Sequence, residues 1–556
     1  MAFDKILAGG TVYDGTGAAP RRADVALTGE RIAAIGDLSG AEAGERIDAT
    51  GLAVSPGFID VHTHYDPQIL WDSELTPTSW FGVTSVVMGN CGFTMAPLPA
   101  RHRETLIQTL GNTEAMPLET LRAGIAWEFE SFAGYLDAVA RRRPALNVAA
   151  FVGHTTMRLA ACKDPNAVAD ADDLRALRKE LDLAMQAGAW GFSTSRSPAH
   201  IGAGGMPVPS RVAAREEFTA FAEVLRGAGA GMIQGVRGPG LVISDFADLA
   251  RLSGRAATWT SLHQGVDGGK HWQYLAETRA ERANGANLWA QMSCVPVTAH
   301  FQLSSPYVLN AVPALGELMG LDHAQRKARL ADPVWQATAL EQFGANRENR
   351  SFAVRLDRIS VAESPAHPEL EGRRITDIAG AAADSLVAMK CFIDIALADD
   401  LATRFSMIMF NFDDDEHGKL LAEFDGSIFG LGDGGAHTTQ ICDSAFCLHV
   451  LGHFARARGQ FTIEQAIWRL TGQLADVFGI AERGVLKEGN YADICVFNAA
   501  TVDEAPLRRV RDQPANAERL VADPIGIEHV LVNGKFVRRG GVAVTGTGAG
   551  HMLRPS

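Results

Sequence analysis

From residue 82 to residue 431, short apolar runs alternate with longer amphipathic stretches, and this rhythm restricts the possible folds more than any other feature. Strand candidates are Gly82–Met88, Leu146–Val152, Gly191–Thr194, Gly231–Val236, Thr258–Leu262, Leu288–Met292, Ser406–Phe410 and Ile428–Leu431. Helical patterns such as Ala171–Ala187 and Arg215–Ala228 fall between them. Repeated strand–helix alternation predicts a parallel sheet of the α/β class, and the count fits a (β/α)8 TIM-like barrel. Between Met292 and Ile375 the rhythm breaks, with Pro296, Pro306, Pro313, Pro333, Pro365 and Pro368 scattered among short helical pieces. That stretch, about 293–374, reads as an insertion over the barrel mouth, acting as a lid.

The two ends have another texture. Lys5–Gly15 predicts a hairpin, with further strands at Asp24–Leu27 and Arg31–Ile35. Gly484–Phe497 and Ile527–Val537 are also strand-rich. Two β-rich ends around an α/β middle predict a small β-sandwich domain built from both termini. The expected division is 1–56 and 481–556 for the sandwich and 57–480 for the barrel.

At 556 residues the chain exceeds one ordinary domain but suits a large barrel with a satellite. A net charge of −14, without a basic run, argues against a nucleic-acid partner. Seven cysteines lack the spacing of a disulfide framework. The Met1–Lys5 start is not followed by an apolar signal region, and no apolar run approaches the ~20 residues of a membrane helix. A cytoplasmic enzyme away from the membrane is the expectation.

Barrel active sites lie where the strands end, so metal-capable residues there are informative. The apolar run Leu52–Ile59 leads into Asp60-Val61-His62-Thr63-His64. Residues i and i+2 of an extended chain share a side, so His62 and His64 converge on one point. Cys91 follows the second strand, His154 the third, His263 the sixth and Asp433 the last. Alone, each reads as an ordinary buried or turn residue. Together they predict a metal site, and a thiolate with imidazoles favours zinc over magnesium or calcium. Such an ion acidifies water and polarises a carbonyl, while Asp433 takes and returns a proton as general base and acid.

The segment Pro56–His64 resembles the metal signature of the amidohydrolase superfamily. Cys91 in Gly-Asn-Cys-Gly-Phe narrows the likeness to the N-acyl-D-amino-acid deacylase (D-aminoacylase-like) branch. Asn147–Arg158, Gly188–Thr194, Asp433-Gly434 and Gly484–Phe497 are similar to that branch as well. The resemblance implies the barrel-plus-sandwich fold and a hydrolase of non-peptide C–N bonds. It implies metal ligation by His62, His64, Cys91, His263 and Asp433, with Asp433 and His263 catalytic.

The chain departs from the branch at several places. After the fifth strand the family carries Ser-His-x-Arg. Aligning Arg237 puts Gly235 at that histidine, and Gln234 beside it points to the opposite face. Gly265, two residues after His263, stands where the branch has a lysine for the substrate carboxylate. The Ser195–Gly202 loop also lacks the branch's tyrosine. Gly235 favours one zinc per chain over two. Losing a cationic anchor costs roughly 1.5–3 kcal/mol, so a free N-acyl-D-amino acid is a poor substrate unless Arg196, Arg237 or Lys270 replaces it. His154, Arg196 and Arg237 are the expected substrate contacts.

The expected activity is zinc-dependent hydrolysis of an amide or N-acyl bond in a small molecule, with homo-oligomer formation left open. A cyclic amide, lactone or ester on the same metal is an alternative. An inactive barrel acting as a binding protein is another, kept open by Gly235.

Overall fold

In the computed structural model, residues 2–304, 309, 312–346, 355–380 and 385–555 are described, with the side chains of 343–346 excepted. Pro306 and parts of the expected insertion therefore lie outside the described residues. The architecture is α/β, with parallel strands that alternate with helices.

Six strands run parallel in the order Ser427–Gly430, Leu288–Ser293, Ala257–Leu262, Met232–Val236, Gly191–Ser195 and Val152–Gly153. A second parallel set is Phe58–Asp60, Val83–Met88 and Asn147–Ala150. The sets meet where Phe151 N donates to Met88 O and Trp190 N donates to Ala150 O. At the other side Asp433 N donates to His62 O, and Thr63 bridges Gly434 in parallel. The strands are buried along nearly their whole length, as near-continuous apolar runs flanked by helices require.

The helix predicted at Ala171–Ala187 has those bounds for a local reason. Asp170 accepts from Asp172 N and Asp173 N in a capping box, and Gly188 at φ 109° ends it in the left-handed region. None of the described helices is long and apolar enough to cross a membrane.

A nine-stranded sheet draws on both ends of the chain. Ile494–Phe497 pairs with Ala53–Pro56, which pairs in turn with Phe3–Val12. The run read as one strand, Leu52–Ile59, is divided: Ala53–Pro56 belongs to this sheet and Phe58–Asp60 to the parallel set. Gly57 makes the crossing. A Cβ there would lie 2.0 Å from Thr84 Cγ2, so only glycine passes between the layers.

Three expectations are corrected. Lys5–Gly15 is not a hairpin; Phe3–Val12 is one strand paired with Arg21–Thr28, and Gly9-Gly10 marks a bulge rather than a turn. Ser406–Phe410 does not join the parallel strands. Arg404–Phe410 lies antiparallel between Val297–Gln302 and Ile359–Glu363. Its burial alternates from Arg404 to Ile408, the pattern of a strand with one covered face, and is intermediate through Met409 and Phe410. The excursion therefore extends to Phe410 rather than stopping near 374. It has its own apolar cluster, including Phe301, Leu315, Phe392 and Phe405.

Candidate metal centre

His62 and His64 leave the end of Phe58–Asp60 with their rings 5.4 Å apart, and both are buried. His62 Nδ1 donates to Gln291 Oε1 at 2.6 Å, and Gln291 is fixed by Nε2 donating to Thr258 Oγ1 at 3.1 Å. This sets the tautomer and leaves Nε2 bare on the other side of the ring. There it lies 3.3 Å from Cys91 Sγ. Donor atoms of His62, His64 and Cys91 all lie within 4.8 Å of one another, the one such group among the described residues.

Cys91 reaches this point through a tight turn, Asn90–Gly92, in which it holds φ 57°. Side chains from the neighbouring strands hold the turn. Gln234 Oε1 accepts Cys91 N at 2.8 Å and Ser193 Oγ accepts Gly92 N at 2.9 Å. Asn90 Nδ2 donates to Thr63 O and Val87 O. Burial pushes the Cys91 thiol well above its usual range, and Glu114 and Asp433 push it further.

Asp433 follows Ser427–Gly430 at φ 46°, with its N–H on His62 O. Its Oδ1 lies 3.5 Å from His62 Nε2 and 3.8 Å from His64 Nε2. Beneath the loop, Asp60 is buried and accepts His62 N at 3.2 Å. Burial pushes Asp60 up to about 8, with Asp433 adding to the rise.

Three residues at the centre have no place in the sequence-based expectation, Gln291, Glu114 and His437, and a fourth, Gln234, is expected there to point away. Glu114 follows the helix Arg103–Thr113 and is 3% exposed. Its Oε2 lies 3.5 Å from His64 Nε2 and 3.6 Å from His437 Nε2, and its carbonyl accepts His437 N. Oε1 has no partner among the described residues. Burial raises this carboxyl well above the carboxylate range, and Asp433 and Asp66 add to it. His437, four residues past Asp433, was readable as a further histidine at the last strand's end. Glu114 has no local signal, because only folding brings that helix end to the site.

The expectation for Gly235 and Gln234 is reversed: Gly235 faces away from the centre and Gln234 faces it. A Cβ on Gly235 would lie 2.8 Å from Phe246 Cε1, on the covering helix Ile243–Ser253. The inward position is that of Gln234, which is fully buried, with Nε2 unpartnered among the described residues.

Other expected site residues are not among the three donor groups of His62, His64 and Cys91. His263 stacks on Phe410 at 4.8 Å and 12°, with Nδ1 unpartnered among the described residues. Burial holds its pKa down to about 3, with His417 and Arg237 contributing. His154 is 0% exposed: its ring nitrogens meet Thr194 Oγ1 at 2.9 Å and Glu217 Oε2 at 3.0 Å, and Phe218 and Phe221 enclose it. That arrangement leaves no ring nitrogen for a substrate. Arg196 donates to Pro239 O and Ala213 O. Arg237 lies over Tyr274 at 3.9 Å and Trp259 at 4.8 Å, with Asp267 3.5 Å away.

Comparison with known proteins finds relatives over nearly the whole chain. The amidohydrolase family model matches residues 45–339 and 435–538. The chain is 31% identical to a D-aminoacylase from Alcaligenes xylosoxydans xylosoxydans, over 99% of this chain and 97% of that protein. It is 32% identical to an N-acyl-D-glutamate deacylase of the same organism, over 96% and 93%. The crystal structure of a D-aminoacylase superposes with a TM-score of 0.67 at 29% identity, covering 99% and 100% of the two chains. An N-acyl-D-glutamate deacylase from Bordetella bronchiseptica, complexed with zinc and a phosphonate inhibitor, superposes at 0.66 and 29%, over the full length of both chains. Matched by that family model over more than half of its length and 32% identical to a relative over nearly all of it, the chain belongs to the amidohydrolase family.

Proposed function

We propose that this chain is a zinc-dependent amidohydrolase that removes the acyl group from a small N-acyl compound of the N-acyl-D-amino-acid type. The observation that carries the reading is the convergence of His62, His64 and Cys91, with Asp433 Oδ1 3.5 Å from His62 Nε2. The donor set suits zinc, because imidazole and thiolate are its usual ligands. Cys91 itself argues for a cation. Burial beside Glu114 and Asp433 disfavours a bare thiolate, which a divalent ion at the same point would stabilise. Relatives of nearly the same length are a D-aminoacylase and an N-acyl-D-glutamate deacylase by name, and an N-acyl-D-glutamate deacylase is complexed with zinc.

Zinc held by His62, His64 and Cys91 would supply a Lewis acid that polarises the amide carbonyl and acidifies water. The remaining work falls to the chain's own residues. Asp433, 28% exposed at its side chain, takes the proton of the attacking water and delivers it to the leaving nitrogen. Gln291 keeps His62 Nε2 bare, and Gln234 keeps the Cys91 turn in place. His263 is neutral and its Nδ1 has no partner among the described residues, so it is the ring available to a substrate oxygen at the edge of the site.

Gly235 faces the covering helix and Gln234 takes the inward place, which favours a single zinc. The two parallel strand sets are read as one (β/α)8 barrel spanning 57–480. The nine-stranded sheet is read as a β-sandwich built from 1–56 and 481–556.

Zinc content and hydrolysis of an N-acetyl-D-amino-acid panel test the reading together. About one zinc per chain is expected, lost in His62→Ala. Asp433→Asn should keep the metal and lose about 10²–10⁴-fold in kcat. No zinc after loading, or unchanged turnover in Asp433→Asn, contradicts the proposal.

A further inference from the structure

The proposed substrate has a free carboxylate next to its scissile amide, so the site requires a cation that is not already committed. The arginines on the nearby loops are occupied. Arg196 is held by Pro239 O and Ala213 O, and Arg211 by the carbonyls of Pro198 and His200. Arg237 is enclosed by Tyr274, Trp259 and Asp267. Lys270 is exposed at the start of the helix His271–Ala283.

The excursion supplies another cation. Where it returns to the parallel strands, Phe410 stacks on His263. Asn411 locks the two segments together: its Oδ1 accepts Gln264 N, its backbone N donates to Gln264 O, and its Nδ2 donates to Val295 O. Phe412 then lies against Gly265, close enough that a Cβ on that glycine would be 2.5 Å from the ring. No side chain at 265 fits under this ring, and the space belongs to the excursion.

On the ring of Phe412 lies the guanidinium of Arg358, 3.4 Å from its centroid. Arg358 makes no direct ion pair among the described residues, its neighbour Asp357 being held by Arg355, although it is only half exposed. A stacked guanidinium is pre-oriented and still offers its N–H edge, the geometry that grips a carboxylate with two parallel hydrogen bonds. Its desolvation is visible in a pKa that burial holds down to about 10, with Arg355 adding to the effect. Two aromatic steps, Phe410 on His263 and Phe412 on Gly265, tie this cation to the end of Ala257–Leu262, the end from which His263 projects.

We infer that Arg358, carried by the excursion and stacked on Phe412, binds the carboxylate of the substrate. It thereby makes the enzyme selective for N-acyl amino acids over neutral amides. The inference rests on the deacylase reading above and adds the residue that sets its substrate class.

The test compares N-acetyl-D-leucine with its uncharged carboxamide, following acetate release and, separately, equilibrium binding to the zinc-loaded protein. Arg358→Ala should raise KM and Kd for the acid about 10- to 100-fold and leave those for the carboxamide nearly unchanged. Arg358→Lys should recover part of the loss, and Lys270→Ala should behave as wild type. Equal losses on both compounds would mean a structural role and overturn the inference. So would an unaffected Arg358→Ala, a loss confined to Lys270→Ala, or a wild type that binds the carboxamide but not the acid. Arg358-dependent binding of the acid without hydrolysis would uphold this inference and contradict the proposed activity instead.

Discussion

The side-chain oxygen of Gln234 accepts the backbone N–H of Cys91 at 2.8 Å, joining a strand interior to the turn that presents the thiol. Cys91 holds a positive φ that a non-glycine residue adopts at a cost, so the turn needs such a brace. Gln234→Leu keeps the volume but orphans a buried donor, worth about 1–3 kcal/mol. Zinc affinity is expected to fall about 10–100-fold, the usual effect of removing a support behind a ligand. Competition against a chromophoric chelator measures this, and an unchanged Kd would show that the brace does not matter.

Glu114 occupies the narrow space between His64 and His437, 3.5 Å and 3.6 Å from their Nε2 atoms. Glu114→Gln preserves shape and hydrogen bonding but removes any negative charge. Activity is expected to drop about 10–100-fold with little change in melting temperature. Steady-state kinetics with a thermal melt separates this outcome from simple unfolding.

Away from the centre, His417 donates Nε2–H to Ser293 O at 3.0 Å and leaves Nδ1 unpartnered among the described residues. Burial holds its pKa down to about 4. The unfolded chain binds a proton near pH ~6.5 that the folded chain refuses. Stability from this residue is therefore complete above that value and falls as the pH drops towards 4. At pH 5 the loss is about 2 kcal/mol. Denaturant titrations of the metal-free protein at pH 7.5 and 5 should show His417→Asn to be less pH-sensitive by about that amount.

Gly57 lets the chain cross from the nine-stranded sheet to the parallel strands, with its N–H on Asp493 O at 2.9 Å. Gly57→Ala places a methyl group on Thr84, and an overpacking cost of about 1–3 kcal/mol is expected. Gly57→Ala combined with Thr84→Ser should recover part of that loss, as read from denaturation midpoints.

Local pattern determined much of this protein. Apolar strands joined by amphipathic helices made the parallel strands legible, and Asp170 with Gly188 bounded one helix within one residue of sequence on each side. His62 and His64 were legible because a two-residue period in extended chain puts both rings on one side. Cys91 and Asp433 were legible because strand ends gather at one face. What remained hidden depended on long-range register. Arg404–Phe410 is as apolar as a barrel strand, and only its partners at Val297–Gln302 and Ile359–Glu363 distinguish it. Gln234 and Gly235 are neighbours, and packing against Phe246 decides which of them faces inward. Glu114 and Arg358 lie far in sequence from His64 and Phe412, and only where a helix end and an excursion come to rest brings them together. The amino-acid order sets periodicity and residue chemistry, but which side chains share one small volume is decided by the packing of elements far apart in the chain.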